Sequence, residues 1–385
     1  MAPASVQVVL AESPEDREAI YALRYAIYVE LMGKSPPAAD HQRRWIRDDL
    51  DASAHLYALR DADGLLVGTL RLNLLSKLDD PQATLAPLPL GRLLQQLPTS
   101  ALSYTSRLML LPAWRGGTML GMLFNRCYGD AVAAGVRIDL CHAKPGLVEL
   151  YEQLGYRRFC PGIALPGVGY QVPMLLALHD REHLRRSRSP LIRHPACRTV
   201  EDRWGDAAWM ASMGEQYIGL NHRLLDPDAF WTVVGQALRQ GDQQVPLFRG
   251  LSDEQARLLL KTGTVLTCQP GDRLVGEGEP QQDLFVVLEG VAEVWRQQEG
   301  RRLSLALLQR GAVFGEMGFL GRPRRSADVV AATPLRVLVL TQGFLDHCIR
   351  RQPESAALLL RNLALVLAER LSQTTDRLWQ LSQSN

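Results

Sequence analysis

One stretch of this 385-residue chain, residues 311–330, GAVFGEMGFLGRPRRSADVV, has residue types and a spacing suited to binding. Gly315 and Glu316 lead into an apolar turn that begins at Met317. A basic loop broken by Gly and Pro follows, and then Arg325, Ser326 and Ala327. Glycine lets backbone approach a ligand closely or take a positive φ without steric cost. A guanidinium followed by a hydroxyl at the start of an element suits a pair of anionic oxygens. A carboxylate nine residues upstream can accept from a sugar hydroxyl. Together these parts read as a receptor for a phosphorylated ribose, with Arg324 a solvated neighbour. Cys141-His142 has the composition of a nucleophile pair, but adjacent strand residues point to opposite faces, so it reads as a core cysteine and a rim histidine.

The elements that position such residues follow from periodicity and punctuation. Residues 6–10 predict a strand. Ser13-Pro14 opens a helix with acids in its first turn, and Ile20, Leu23, Ile27 and Leu31 line one face of it. Residues 55–59 and 65–72 predict a hairpin around the turn Asp61-Ala62-Asp63-Gly64. A Leu/Pro-rich excursion fills 74–100. Strand 103–111, helix 119–134 with Gly135 behind it, strand 136–142 and helix 147–154 follow, with further strands near 157–159 and 170–178. From 245 onward, glycines at turns separate short strands, as a small β-barrel demands.

That second half resembles the cyclic-nucleotide-binding domains, the family of catabolite activator protein and the regulatory subunits of protein kinase A. The likeness rests on Pro246-Leu247-Phe248 with Leu251-Ser252, Pro270-Gly271-Asp272, Gly276-Glu277-Gly278, the run Phe285 to Gly290, and the 311–330 stretch. It implies that Glu316 takes the ribose 2′-hydroxyl and Arg325 the cyclic phosphate. Gly315, Met317, Ser326 and Ala327 would complete the site, and the ligand would be cAMP or cGMP, with cAMP favoured.

The first half resembles the GNAT acyltransferase superfamily. Within it, Leu23 to Tyr28, Asp48-Asp49-Leu50-Asp51, Gly68 to Leu72 and Ser106-Arg107-Leu108 resemble the long-chain N-acyl amino acid synthases and the acyl-homoserine-lactone autoinducer synthases. Three positions depart from the pattern. Tyr104 stands where many members have Glu. The places for Gly or Ala after Arg115 hold Thr118 and Leu120, although Gly116 and Gly117 still offer N–H groups to a phosphate at a helix start. The donor implied is a thioester, either acyl-CoA or an acyl carrier protein.

Amide formation from a thioester needs a neutral amine, N–H donors for the oxyanion and a proton for the leaving thiolate. Tyr151 matches the family position of the thiolate's acid; it also reads as a core tyrosine. Asp48 and Asp51 read either as groups that orient or deprotonate the amine or as turn caps. Arg24, Arg71 and Arg107 can hold an acceptor carboxylate or donor phosphates, or serve as ion pairs. Tyr151, Asp48, Asp51, Arg71 and Arg107 are expected at one cleft.

Composition frames these readings. Hydrophobic content of 46%, charge of 22% and a net charge of +2 are ordinary and argue for neither a nucleic-acid nor a membrane surface. No apolar run is long enough to span a bilayer, no secretory signal is visible, and six scattered cysteines suggest neither a zinc site nor a disulfide framework, so a reducing cytoplasm is expected. The basic segment 181–193, with Arg185, Arg186, Arg188 and Arg193, reads as a solvated linker or as a docking patch for an acidic carrier protein. Trp204, Trp209, Tyr217, Phe230 and Trp231 mark an aromatic helical stretch. In the final helix, Leu360, Leu363, Leu367, Leu371, Leu378 and Leu381 form a near-heptad stripe, which suits packing on the barrel, a dimer seam, or both. No winged helix follows, so no DNA contact is expected.

The expected architecture is α+β and multidomain: a GNAT-like mixed α/β sheet domain over 1–180, a helical linker over 181–244, and a jelly-roll cyclic-nucleotide-binding domain with a long terminal helix over 245–385. The expected activity is a cyclic-nucleotide-regulated N-acyltransferase with no metal. A non-catalytic sensor built on the same folds is the alternative.

Overall fold

The computed structural model describes residues 6–34, 36–86, 88–115, 118–165, 169–199, 235, 245–260, 263–279, 282–298, 301–321 and 324–383. The chain divides into two units, Met1–Gly219 and Leu220–Asn385.

The first unit is built on a twisted sheet. Its strands are β1 (Gln7–Leu10), β4 (His55–Arg60), β5 (Leu66–Leu74), β6 (Leu102–Leu110), β7 (Ile138–Ala143), β8 (Arg157–Arg158), β9 (Ile163–Leu165) and β10 (Gly169–Ala177), with a separate two-stranded ribbon of β2 (Ala39–Asp40) and β3 (Trp45–Ile46). The sheet order is β1-β4-β5-β6-β7-β10-β8, with β9 on β10. Neighbours are antiparallel except β6 and β7, which are parallel. The hairpin turn between β4 and β5 forms as its residues dictate. The Asp61 carboxylate accepts from the N–H groups of Asp63 and Leu65 at 3.0 and 2.9 Å, and Gly64 takes φ +83°.

Two features of β6 shape everything near the site. Its ladder with β7 covers only Leu102–Ile138, Ser103–Asp139 and Tyr104–Leu140. Beyond that, β6 stays on β5 as far as Leu110 and β7 stays on β10 as far as Ala143, so the two strands diverge. The second feature is a bulge. Thr69 faces Met109 while Arg71 faces Ser106, which leaves one extra residue on β6. Arg107 lies in it at φ +56°, a left-handed conformation uncommon outside glycine. Strict alternation would send Ser106 and Arg107 to opposite faces; the bulge turns both to one side.

Helices cover both faces. On one, α1 (Pro14–Tyr25) sets Ile20 and Tyr21 against Leu56 and Ala58. The single helix expected through Leu31 instead widens into a π turn at Ala26–Leu31. The extra residue per turn shifts the helical phase, and Leu31 ends 57% exposed rather than in the core. The Leu/Pro-rich excursion folds over the same face further along. Its Leu75, Leu85, Leu88 and Leu93 bury themselves with Tyr104 and Leu140. On the other face lies α2 (Met119–Ala133), with Asp130 accepting from the Tyr57 hydroxyl at 3.0 Å. Behind β7 comes α3 (Val148–Leu154).

Residues 181–199, expected to begin the linker, continue the first unit. In α4 (Arg181–Arg186), His183 and Leu184 are buried, and His183 Nε2 donates to the Gly155 carbonyl at 3.0 Å. Arg185, Arg186, Arg188 and Arg193 remain exposed. Trp204, Trp209, Tyr217, Phe230 and Trp231 lie outside the described residues.

The second unit holds two antiparallel four-stranded sheets. One is formed by β11 (Thr264–Cys268), β18 (Leu335–Leu340), β13 (Leu284–Glu289) and β16 (Val313–Phe314). The other is formed by β12 (Arg273–Val275), β17 (Asp328–Ala331), β14 (Ala292–Gln298) and β15 (Arg301–Leu308). Short α5 (Asp253–Leu260) precedes them, and α6 (Gln342–Arg351) and the long α7 (Pro353–Gln383) follow. The leucine stripe of α7 divides. Leu363 joins the barrel core with Phe248, Val286 and Leu338, accompanied by Leu359 from outside the stripe, and Leu367 packs at its margin, while Leu360 is only half-buried. Leu371 is 69% exposed, and the side chains of Leu378 and Leu381 lie outside the description. No helix among the described residues is long and apolar enough to cross a membrane, and none of their His, Cys, Asp and Glu groups is arranged to hold a metal ion.

Candidate functional site

In the first unit, five charged residues alternate in one buried row. Arg24 of α1 donates through Nη1 to both oxygens of Asp51, at 2.9 and 2.8 Å. Arg71 of β5 donates to Asp51 at 3.0 Å and also to Asp48. Arg107 donates to the other oxygen of Asp48 at 2.5 Å. Arg71 Nε donates to Ser106 Oγ at 3.0 Å. The aspartates are fixed by their own turn, Asp49–Asp51, in which the Asp48 N–H donates to Asp51 Oδ2 at 2.9 Å. The turn-capping reading of the aspartates and the ion-pair reading of the arginines therefore hold together.

Burial separates the roles. Arg24 and Asp51 have side-chain exposures of 0% each, so both are turned into the row and away from solvent, unlike the surface positions that their types suggest. Asp48 and Arg107 keep 25% and 21%. Three guanidiniums against two carboxylates leave one positive charge at that open end. Burial would raise the Asp48 carboxyl, but Arg71 and Arg107 outweigh it and hold the group down at about 2. Burial lowers Arg24 to about 10, with Arg71 and Arg107 adding to the effect against Asp51.

Next to this row, Tyr104 and His142 face each other from β6 and β7, with Tyr104 Oη 3.0 Å from His142 Nδ1. Sequence reading singled out Tyr104 only as a departure and His142 only as a rim residue; their spacing of 38 positions carries no local signal. Cys141 is fully buried, and burial pushes its thiol well above its ordinary value, which disposes of a nucleophile pair. Tyr151 opens no bond to the charged row among the described residues. Its ring packs edge-on against Phe124 and Tyr156, with centroids 5.8 and 5.3 Å away, and burial holds its hydroxyl well above its ordinary value, with Cys141, Tyr104 and Tyr28 adding to the effect. Those last groups place it by the end of the strand divergence rather than within the arginine row. Tyr28, from the π turn, carries Arg107 over its ring at 5.8 Å. Arg115 donates to the Leu110 carbonyl at 3.1 Å, at the far end of β6; Gly116 and Gly117 lie outside the described residues.

In the second unit, Gly315 at φ +82° precedes the single turn Glu316–Phe319. Arg325 reaches back under it, donating to the Gly315 and Asp283 carbonyls, both at 2.6 Å. A Cβ on Gly315 would stand 2.6 Å from Arg325 Nη1, so the close approach needs glycine. Arg325 is 5% exposed, and its Nε is buried without a hydrogen-bond partner among the described residues. Burial lowers its guanidinium, against the pull of Asp283, Glu316 and Glu279. Ser326 is exposed, with its Oγ 3.7 Å from the Met317 sulfur, and Ala327 is buried. One residue here escaped sequence reading: Arg370 of α7 places Nη1 3.5 Å from Glu316 and also donates to the Val313 carbonyl.

Removing one charge from the buried row leaves its partner uncompensated. Asp51→Asn is expected to cost about 3–5 kcal/mol in denaturant unfolding of the full chain. A cost below about 1 kcal/mol, the range of exposed pairs, would show that the row is not a structural unit.

Comparisons with known proteins fall on the same two regions. Residues 19–179 match the family model of the N-acyl amino acid synthase FeeM, and residues 265–352 match that of the cyclic nucleotide-binding domain. The chain is similar to the cyclic AMP receptor protein of Thermus thermophilus, 35% identical over 36% of this chain and 62% of that protein. It is similar to glutaminase 2 of Bradyrhizobium diazoefficiens, 37% identical over 37% of this chain but 22% of that protein. The chain thus spans between about a fifth and three-fifths of these relatives. Among solved structures, Thermus thermophilus catabolite activator protein matches with 35% identity over 36% of this chain and 63% of its own, at a TM-score of 0.33. The charged row lies inside the first matched region and the Arg325 site inside the second: the chain joins an N-terminal domain of the N-acyl amino acid synthase FeeM family to a C-terminal cyclic nucleotide-binding domain.

Proposed function

We propose that this protein is a cyclic-nucleotide-regulated N-acyltransferase that moves an acyl group from a thioester to the amine of an amino acid or another small amine. The observation that carries the reading is the divergence of β6 from β7 beside a row of charge with one positive charge to spare. In this reading the first unit has the GNAT fold. The donor, acyl-CoA or the thioester of an acyl carrier protein, lies along the freed edge of β6 like an added strand. Freed N–H groups on that edge meet the oxyanion. Arg107, steadied by Asp48 and flanked by Arg71, holds the acceptor's carboxylate. Tyr151, kept protonated by burial, gives its proton to the leaving thiolate.

In the second unit, the unmatched Nε–H of Arg325 supports its role as donor to the oxygens of a cyclic phosphate, and in this reading Glu316 accepts from the ribose 2′-hydroxyl. Both cAMP and cGMP fit that description. Because Arg370 pairs with Glu316, a ribose bound there competes with the long helix for one carboxylate. That is the differential interaction a regulatory ligand requires. The exposed Leu371 and Trp379 of α7 support a second copy of the chain as a partner.

Two measurements test the halves separately. In calorimetry, Arg325→Ala is expected to weaken cAMP or cGMP binding by about 2–5 kcal/mol, the cost of removing one partner of a buried charge pair; equal affinity would remove Arg325 from the site. With an acyl-CoA donor, Tyr151→Phe is expected to slow turnover about 10²–10⁴-fold while leaving donor affinity nearly unchanged, because a leaving-group acid acts in the transition state. Unchanged turnover in Tyr151→Phe would return that side chain to the core, where its contacts with Phe124 and Tyr156 already put it.

A further inference from the structure

We infer that His142, oriented by Tyr104, is the group that takes the proton from the acceptor amine in the acyl transfer proposed above, on which this inference rests. The carboxylates expected for that task are not free to perform it. Asp51 is sealed from solvent between Arg24 and Arg71. Asp48 has both oxygens on guanidiniums, and a carboxylate so matched has little tendency to accept a proton.

His142 has the position they lack. Tyr104 and Leu140 form the last rung of the ladder between β6 and β7. His142 is two residues further along β7, so its side chain is on the same face as Tyr104, on the segment where β7 has left β6. It is partly exposed, whereas Tyr104 is 4% exposed and fixed. With Nδ1–H donating to the Tyr104 hydroxyl oxygen, Nε2 keeps the basic lone pair, the division of labour of a histidine base held by a buried partner. The charged groups facing the ring are Arg71 from β5 and Arg107 from β6; its neighbour across β10 is Pro173, which does not ionise. Burial and those two guanidiniums hold His142 at about 4, so the ring is neutral at physiological pH. An acceptor carboxylate on Arg107 offsets that positive field and moves the ring back toward its ordinary basicity. The base therefore strengthens when the acceptor is in place.

The step balances. The amine nitrogen bonds to the thioester carbonyl carbon and the C–S bond breaks. The thiolate takes the Tyr151 proton, the amine's proton passes to His142 and then to water, and a proton returned from water restores the Tyr151 hydroxyl, so that amide and free thiol are the only products.

The test uses the purified full-length protein with a series of acyl-CoA and acyl-carrier-protein thioesters and the common amino acids, with amide product read by mass spectrometry. For the best pair, His142→Ala is expected to lose about 10²–10⁴-fold in kcat/KM, and added imidazole should restore part of the loss. His142→Gln, which keeps size and hydrogen bonding, should be as slow as His142→Ala. Tyr104→Phe should slow the wild-type protein but not the His142→Ala variant. Wild-type turnover with undiminished His142→Ala, or full recovery in His142→Gln, overturns the inference and leaves the acyltransferase reading intact. Absence of amide from the wild-type protein with every donor overturns both.

Discussion

Asp51 is the constraint on which the first unit depends. It is fully buried, it accepts from Arg24 and Arg71, and its turn fixes Asp48, which in turn holds Arg107. Burying ions costs several kcal/mol each and is tolerated only where every charge is matched with good geometry. The row therefore dictates where four separate pieces of chain lie: α1, the turn before β4, β5 and β6. It also explains the bulge. A left-handed arginine costs about 1–2 kcal/mol, and the pairing of Arg107 with Asp48 offsets it. A bulged strand bends, and β6 parts from β7 a few residues earlier, so the charge row and the opening between the strands are one construction.

The second unit rests on a smaller version of the same idea. Arg325 is buried before any anion reaches it, and two backbone carbonyls hold its Nη groups. This keeps a cation in a largely dry place with one N–H unmatched, at a cost that a phosphate would recover. Glu316 is not idle either, since Arg370 comes from a helix whose first half is welded into the barrel core through Leu359 and Leu363. A ligand that takes Glu316 thus acts on a helix that is firm at one end and exposed at the other.

Much of this was legible in the residues. The hairpin at 61–64 follows from an aspartate and a glycine, and the Gly315, Glu316 and Arg325 constellation follows from types and spacing. What escaped has identifiable causes. The bulge puts Arg107 in a conformation that nothing in Ser-Arg-Leu announces. The π turn moves Leu31 out of a face that its spacing assigns to the core. Arg24 and Asp51 form a fully buried pair, a burial that nothing in their types announces. Arg370, 54 positions beyond Glu316, and His142, 38 beyond Tyr104, meet their partners only through tertiary structure. Tyr104 reads in sequence as the loss of a carboxylate; in the fold it has a histidine at hydrogen-bond distance.

The claim that joins both units is that nucleotide occupancy sets the rate of acyl transfer. The direct measurement is the initial rate of amide formation by the full-length protein, from a fixed acyl thioester and amino acid, across a titration of cAMP and, separately, cGMP. The account predicts a rate that changes with one of them and reaches its half-maximal change at the dissociation constant found by calorimetry, with the dependence abolished in Arg325→Ala. A rate that stays flat through saturation of the barrel would contradict it.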